Sequence, residues 1–165
     1  MKKFLAFLLL FGVLALAGCA GQTQSVTIEA YGITLSVPEG WATEADSAFD
    51  LQLSDGTGYM SLMAYYRDEV DMSPTQVHAW HDEALLADRE AVSELEAETT
   101  EEIKGKTVTT VVYAAGSEGE ENYYSSSMVE LSEDLILWMV VSGPVDEFEA
   151  DRDMIHDVLA SLSTK

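Results

Sequence analysis

Cysteine occurs once in 165 residues, at Cys19, so no disulfide can close within the chain. Stability therefore has to come from an apolar core. Basic residues are also scarce, eight lysines and arginines against 30 aspartates and glutamates. The resulting field repels nucleic acid and anionic lipid, and no basic patch exists to bind either. Proline appears three times, at Pro38, Pro74 and Pro144, each close to glycine or serine, where it punctuates the chain. Repeats, low-complexity segments and a long stalk are missing. So are enzyme signatures: the serines between Tyr123 and Met128 lack a Gly-x-Ser-x-Gly elbow, and the three histidines have no evident nucleophile partner. Pairs of carboxylates can be drawn from 30 acids in countless ways, so their presence selects no glycosidase chemistry. The expectation is a non-catalytic protein without a cofactor.

What is present begins with Met1, Lys2 and Lys3 and an apolar run from Phe4 to Ala17, the layout of an export signal. A permanent membrane span needs about 20 apolar residues, and this run ends earlier, at Gly18 and Cys19. The stretch Leu16-Ala17-Gly18-Cys19 resembles the lipobox of bacterial lipoproteins. That resemblance implies recognition of Leu16, Ala17 and Gly18 by a signal peptidase, cleavage before Cys19, and a diacylglyceryl group on the Cys19 sulfur. Two or more acyl chains hold a protein stably on a bilayer, at about 0.8 kcal/mol per buried CH₂. The implied organisation is a signal peptide over 1–18, a short tether over 19–25 and a single domain over 26–165, lipid-anchored to the bacterial cell membrane outside the cytoplasm. Removal of the signal leaves six basic and 30 acidic residues, a formal charge of −24.

The domain reads as strands, helix, strands, helix. Val26 to Ala30 and Ile33 to Val37 flank Tyr31-Gly32, and Pro38-Glu39-Gly40 closes the second strand. Phe49, Leu51 and Leu53 alternate with polar residues, Asp55-Gly56-Thr57-Gly58 is a turn, and Tyr59 to Tyr66 returns. Ser73, Pro74 and Gln76 form a capping-box start, with Met72 and Val77 spaced as a staple. The helix is expected to reach about Arg89, with Val77, Trp80, Ala84 and Leu85 facing the sheet. Strands follow over Val92 to Ile103, Thr107 to Ala115, Tyr123 to Leu131 and Leu135 to Val141. The last is apolar on both faces, which marks a central strand covered on both sides. A closing helix begins at Asp146 and buries Phe148, Ile155, Leu159 and Leu162. Short connections between these elements predict an α+β fold with an antiparallel sheet and helices packed against it.

The segment Ile33-Thr34-Leu35-Ser36-Val37-Pro38-Glu39-Gly40-Trp41, the Ser-Pro-capped helix, the long meander and the closing Val158-Leu159-Ala160-Ser161-Leu162 resemble the PsbP-like domain of bacterial lipoproteins of the DcrB type. The resemblance spans nearly all of the chain after the signal. It implies an antiparallel sheet carrying helices and no defined activity.

Candidate side chains are few. His78 and His81 stand three apart on a helix beside Asp82 and Glu83, a spacing that can bring two imidazoles together on a metal. His81 falls in the apolar stripe and His78 at its edge, so packing or a surface role is expected instead, and no metal site is assigned. His156 has no ligand spacing to either. Alternation sends Glu94, Glu96 and Glu98 to one solvated face, between Leu95 and Ala97. Tyr65-Tyr66 and Tyr123-Tyr124 each point one ring to each sheet face, a binding platform only where a face is left bare. The function expected is binding or scaffolding of an unknown envelope protein or ligand by a lipid-anchored domain; the alternative is a cation- or small-solute-binding lipoprotein.

Overall fold

A computed structural model describes residues 22–165 except 46 and 118. Leu16, Ala17, Gly18 and Cys19 lie outside the described residues. In chain order the elements are β1 (Thr23–Ile28), β2 (Ile33–Pro38), β3 (Ala42–Thr43), β4 (Leu51–Ser54), β5 (Tyr59–Tyr66) and α1 (Pro74–Leu86). The second half contains β6 (Ser93–Ile103), β7 (Lys106–Ser117), β8 (Glu120–Glu130), β9 (Leu135–Pro144), a single 3-10 turn at Val145–Glu147, α2 (Phe148–Ser161) and β10 (Ser163–Thr164). No helix among the described residues is long and apolar enough to cross a membrane.

β9 is the middle of a seven-stranded antiparallel sheet ordered β3-β4-β5-β9-β8-β7-β6, where its two-faced apolar sequence requires it to be. Leu135, Leu137, Met139 and Val141 point into one core, Ile136, Trp138 and Val140 into another. α1 covers the second face through Val77. The first is covered by α2 and by a separate three-stranded sheet, β1-β2-β10. That second sheet extends the single-sheet expectation. Gly40, at φ 102°, turns the chain just after Pro38, and the β1–β2 hairpin folds over the main sheet and buries Ile33, Leu35 and Val37. The Ser161 hydroxyl ties α2 to β2 by accepting from the Ser36 amide at 2.8 Å.

Local signals act as expected at several boundaries. The capping box is complete: the Gln76 amide donates to Ser73 Oγ at 3.3 Å and the Ser73 amide to Gln76 Oε1 at 2.8 Å. Asp55 Oδ1 accepts from the amides of Thr57 and Gly58, both at 2.8 Å, and closes the β4–β5 turn. Burial opposes ionisation of this carboxyl, but those bonds hold it below the ordinary carboxylate range. Lys104 and Gly105, both at positive φ, make the two-residue turn between β6 and β7.

Three expectations are corrected. β1 begins at Thr23, not Val26, because Thr23, Gln24 and Ser25 pair with Pro38, Val37 and Ser36. α1 ends at Leu86, short of Arg89, and turns a different face inward: Val77, His78, His81 and Asp82 are buried while Trp80 is 51% exposed and Ala84 faces solvent. Polar groups that satisfy one another beneath the helix override its weak apolar periodicity. In β6, register shifts between Glu94 and Glu96 and between Glu96 and Thr99 break the alternation. Glu94 pairs with Tyr113 on the α1 side and Glu96 with Val112 on the α2 side, and Leu95 is left exposed.

Replacement of the central Leu137 by alanine is expected to cost about 2–5 kcal/mol. Leu95→Ser at the bulged edge should change stability by less than about 0.5 kcal/mol. Urea denaturation of both variants checks the contrast; equal losses would mean that Leu95 is buried.

Candidate functional site

Polar groups gather in two places, one sealed and one open. The sealed one lies between α1 and the sheet. Ser126, on β8 and fully buried, is its hub. Its hydroxyl donates to Asp82 Oδ1 and accepts from Trp138 Nε1 at 3.0 Å. The remaining lone pair faces His78 Nε2, also at 3.0 Å. One proton and two lone pairs are all a serine has, so His78 must carry its hydrogen on Nε2. Tyr113 donates to the other Asp82 oxygen at 3.1 Å. Burial first, and then Asp82, push the Tyr113 phenol up to about 12, which keeps it a donor.

The neighbouring His81 makes a separate set of contacts. Its Nε2 lies 2.9 Å from the Tyr65 hydroxyl, and its ring stacks on Trp138 at 4.2 Å and 9°. Burial, followed by the nearby His78, lowers its pKa to about 4, so the ring is neutral and shares one hydrogen bond with the Tyr65 hydroxyl. The two histidines thus face different partners and do not converge on a shared point. Both are more deeply buried than a stripe-edge position implies for His78. Among the described residues no cluster of three or more His, Cys, Asp or Glu side chains is arranged to hold a metal. Ser126, His78 and Asp82 are the residue types of a catalytic triad in a different arrangement. Asp82 accepts from the serine rather than orienting the imidazole, and the serine has no open side.

The tyrosine pairs are mostly absorbed into packing. Tyr65 joins His81, and Tyr124 lies under Arg89, whose guanidinium is 4.3 Å from the ring centroid. Tyr123 is buried on the α2 side and donates to Asp151 at 2.8 Å; burial and that bond push its phenol up. Tyr66 is partly exposed and packs on Tyr31 at 5.4 Å. No four-ring platform results.

The open place is a groove of about 570 Å³ between α2 and the edge strand β6. Val112, Phe148, Ile155 and Leu159 supply its apolar floor and wall. Ser125, 2% exposed, adds a hydroxyl. The Ser126 and Ser127 hydroxyls are bonded inside the protein, whereas Ser125 lines the groove. Glu96, Glu101, Asp153 and Arg152 stand around the rim, with His156 beside them. The Arg152 guanidinium is engaged by Glu96 across the groove and by Glu149 at 3.0 Å, and it lies 4.9 Å over Phe148. The other flank of α2, at Met154 and Asp157, faces Gln22 and Thr23, so the chain enters the domain on the side away from the groove.

Sequence patterns did not point to this groove. It needs the bulge that turns Glu96 to the α2 side and a helix that leaves part of β6, β7 and β8 uncovered. For the sealed network a signal existed, His78 and Asp82 at i and i+4, but Ser126 lies 44 residues beyond Asp82.

The arrangement of layers can be set beside solved structures. A solution structure of cyanobacterial PsbP from Synechocystis superimposes with a TM-score of 0.66 over 93% of this chain and 100% of that one, at 14% identity. The fold is PsbP-like. LpqN, a protein involved in cell envelope biogenesis of Mycobacterium tuberculosis, matches with a TM-score of 0.60 over 86% of this chain and 90% of its own, at 13% identity. A Bacteroides thetaiotaomicron protein matches at 0.57 and 13% identity, with 88% of this chain and 48% of that one covered. No protein-family profile matches the sequence, and no curated protein matches it by sequence. At these identities the PsbP-like likeness is one of fold.

The low pKa of His81 carries a signed prediction. The unfolded histidine takes up a proton near pH 6.5 and the folded one near 4, so folded-state stability is full above 6.5 and lost as pH falls towards 4. At about 1.4 kcal/mol per unit the loss is at most about 3.5 kcal/mol. His81→Gln, which keeps a polar partner for Tyr65, should flatten that part of the pH–stability curve; parallel curves would reject the burial account. Ser126→Ala leaves Asp82, Trp138 and His78 short of a partner and should cost about 1–3 kcal/mol in urea denaturation.

Proposed function

We propose that this chain is a membrane-anchored extracytoplasmic lipoprotein whose PsbP-like domain binds an envelope ligand or partner without catalysing its conversion. The groove beside α2 carries the reading: it is concave, apolar at its base, polar at its rim, and of a volume that suits ligand recognition. The sealing of the Ser126 network supports a structural use of that cluster of triad residue types. The likeness to LpqN, itself described as involved in cell envelope biogenesis, fits the same surroundings.

The lipobox-like Leu16-Ala17-Gly18-Cys19 supplies the address. Because β1 begins at Thr23, only Ala20, Gly21 and Gln22 lie between Cys19 and the first strand, a reach of roughly 10 Å when extended. Lipidated at Cys19, the domain stands against its bilayer with the groove on the far flank of α2. Like-charge repulsion from anionic headgroups favours that acidic side turning outward.

Two experiments test this. Cys19→Ser is expected to leave the precursor unprocessed or to release the protein from the membrane fraction; normal maturation and retention would refute the anchor. A photo-crosslinking amino acid at Ala97, on the groove wall, should capture a reproducible partner in cells, whereas one at Glu83, on the exposed side of α1 over the other face of the sheet, should not. Absence of any groove adduct beside a working positive control would count against binding at this site.

A further inference from the structure

The groove and the strand that borders it have a chemistry that selects among ligands. β6 pairs only with β7 among the described residues, so its outer backbone groups are free. Beyond the bulges its register is regular from Thr99, opposite Thr110, to Ile103, opposite Lys106. This stretch offers an extended chain an edge to align with. On the groove side it presents Thr99 and Glu101.

Charge decides the sign of the partner. Three carboxylates, Glu96, Glu101 and Asp153, border the groove against one guanidinium, and Arg152 is already held by Glu96 and Glu149. An anionic ligand finds no free cation there. A cationic one finds Glu101 and Asp153 unengaged by any ion pair among the described residues, within the field of a −24 domain. The floor of Val112, Phe148, Ile155 and Leu159 asks for apolar side chains, and the Ser125 hydroxyl for one polar contact.

We infer that the groove docks an extended, basic segment of a partner polypeptide, laid along the Thr99–Ile103 edge with apolar side chains in the groove and lysines or arginines against Glu101 and Asp153. This deepens the binding role proposed above and rests on it.

The test uses residues 19–165 carrying Cys19→Ser, which retain every described element and both cores. The probe is a fluorescein-labelled dodecapeptide of alternating lysine and leucine, followed by anisotropy without detergent; lysine–serine and glutamate–leucine dodecapeptides are the controls. The lysine–leucine peptide should bind at least tenfold more tightly than either. Ala97→Trp, which fills the groove from an exposed position, should weaken binding at least tenfold. Glu101→Lys should weaken it several-fold and reduce its salt dependence. If Ala97→Trp lowers the melting temperature, His156→Trp fills the same space from α2 and must show the same loss. Equal affinity for the lysine–serine peptide would reduce the attraction to bulk charge and overturn the inference, as would unchanged binding by a folded groove-filling variant. Should the peptides fail while the Ala97 crosslinker captures a partner in cells, the basic-segment inference falls and the binding role stands; failure of both removes both.

Discussion

Leu135-Ile136-Leu137-Trp138-Met139-Val140-Val141 cannot face water on either side, and the rest of the architecture follows from hiding it. Placed fourth of seven strands, β9 needs a cover on each face. One face receives α2 and the β1-β2-β10 sheet, which contribute an aliphatic layer containing Ile33, Leu35, Val37, Ile155 and Leu159. The other receives α1, a helix of 13 residues with few apolar side chains to spare, helped by Phe49 and Val70 from the connections. The two covers therefore solve the same problem by different chemistry.

Under α1 the solution is polar. Val77 alone among the fully buried α1 residues is aliphatic, and His78, His81 and Asp82 share its face. Each finds a partner on the sheet: Ser126 for His78 and Asp82, Tyr113 for Asp82, Tyr65 and the Trp138 ring for His81. Such a network sets the helix in one register, because any slip leaves several buried groups unpaired at once. On the opposite face the cover is apolar but incomplete. α2 stops short of β6, and the space between them becomes the groove from which the proposed binding role is drawn.

Much of the fold was legible in the sequence. The capping box at Ser73, the turn at Asp55, the central position of β9 and the buried stripe of α2 are local or periodic features, and each acts over a few residues. The errors have a common cause. Hydrophobic periodicity sends Trp80 and Ala84 to the buried face of α1 because it weighs apolar side chains alone, whereas Ser126, Tyr65 and Tyr113 offer polar partners from distant strands. Strict alternation groups Glu96 with Glu94 and Glu98, but it holds only in an unbulged strand. The groove has no spacing signature and the network only the His78–Asp82 pair on α1, since the other members come from β5, β6, β7, β8, β9 and α2.

What the sequence alone determined is therefore short-ranged: where strands turn, where helices start, which strand is buried twice, that no internal disulfide is possible, and that the charge is strongly negative. Tertiary structure decided which side of α1 faces inward, which face each glutamate of β6 joins, that the first hairpin forms a second sheet, and that one edge of the domain stays open. The division has a physical reason. Local backbone preferences and apolar runs are written in consecutive residues, whereas polar satisfaction and the gap between two packed layers depend on side chains that meet only after the chain has folded.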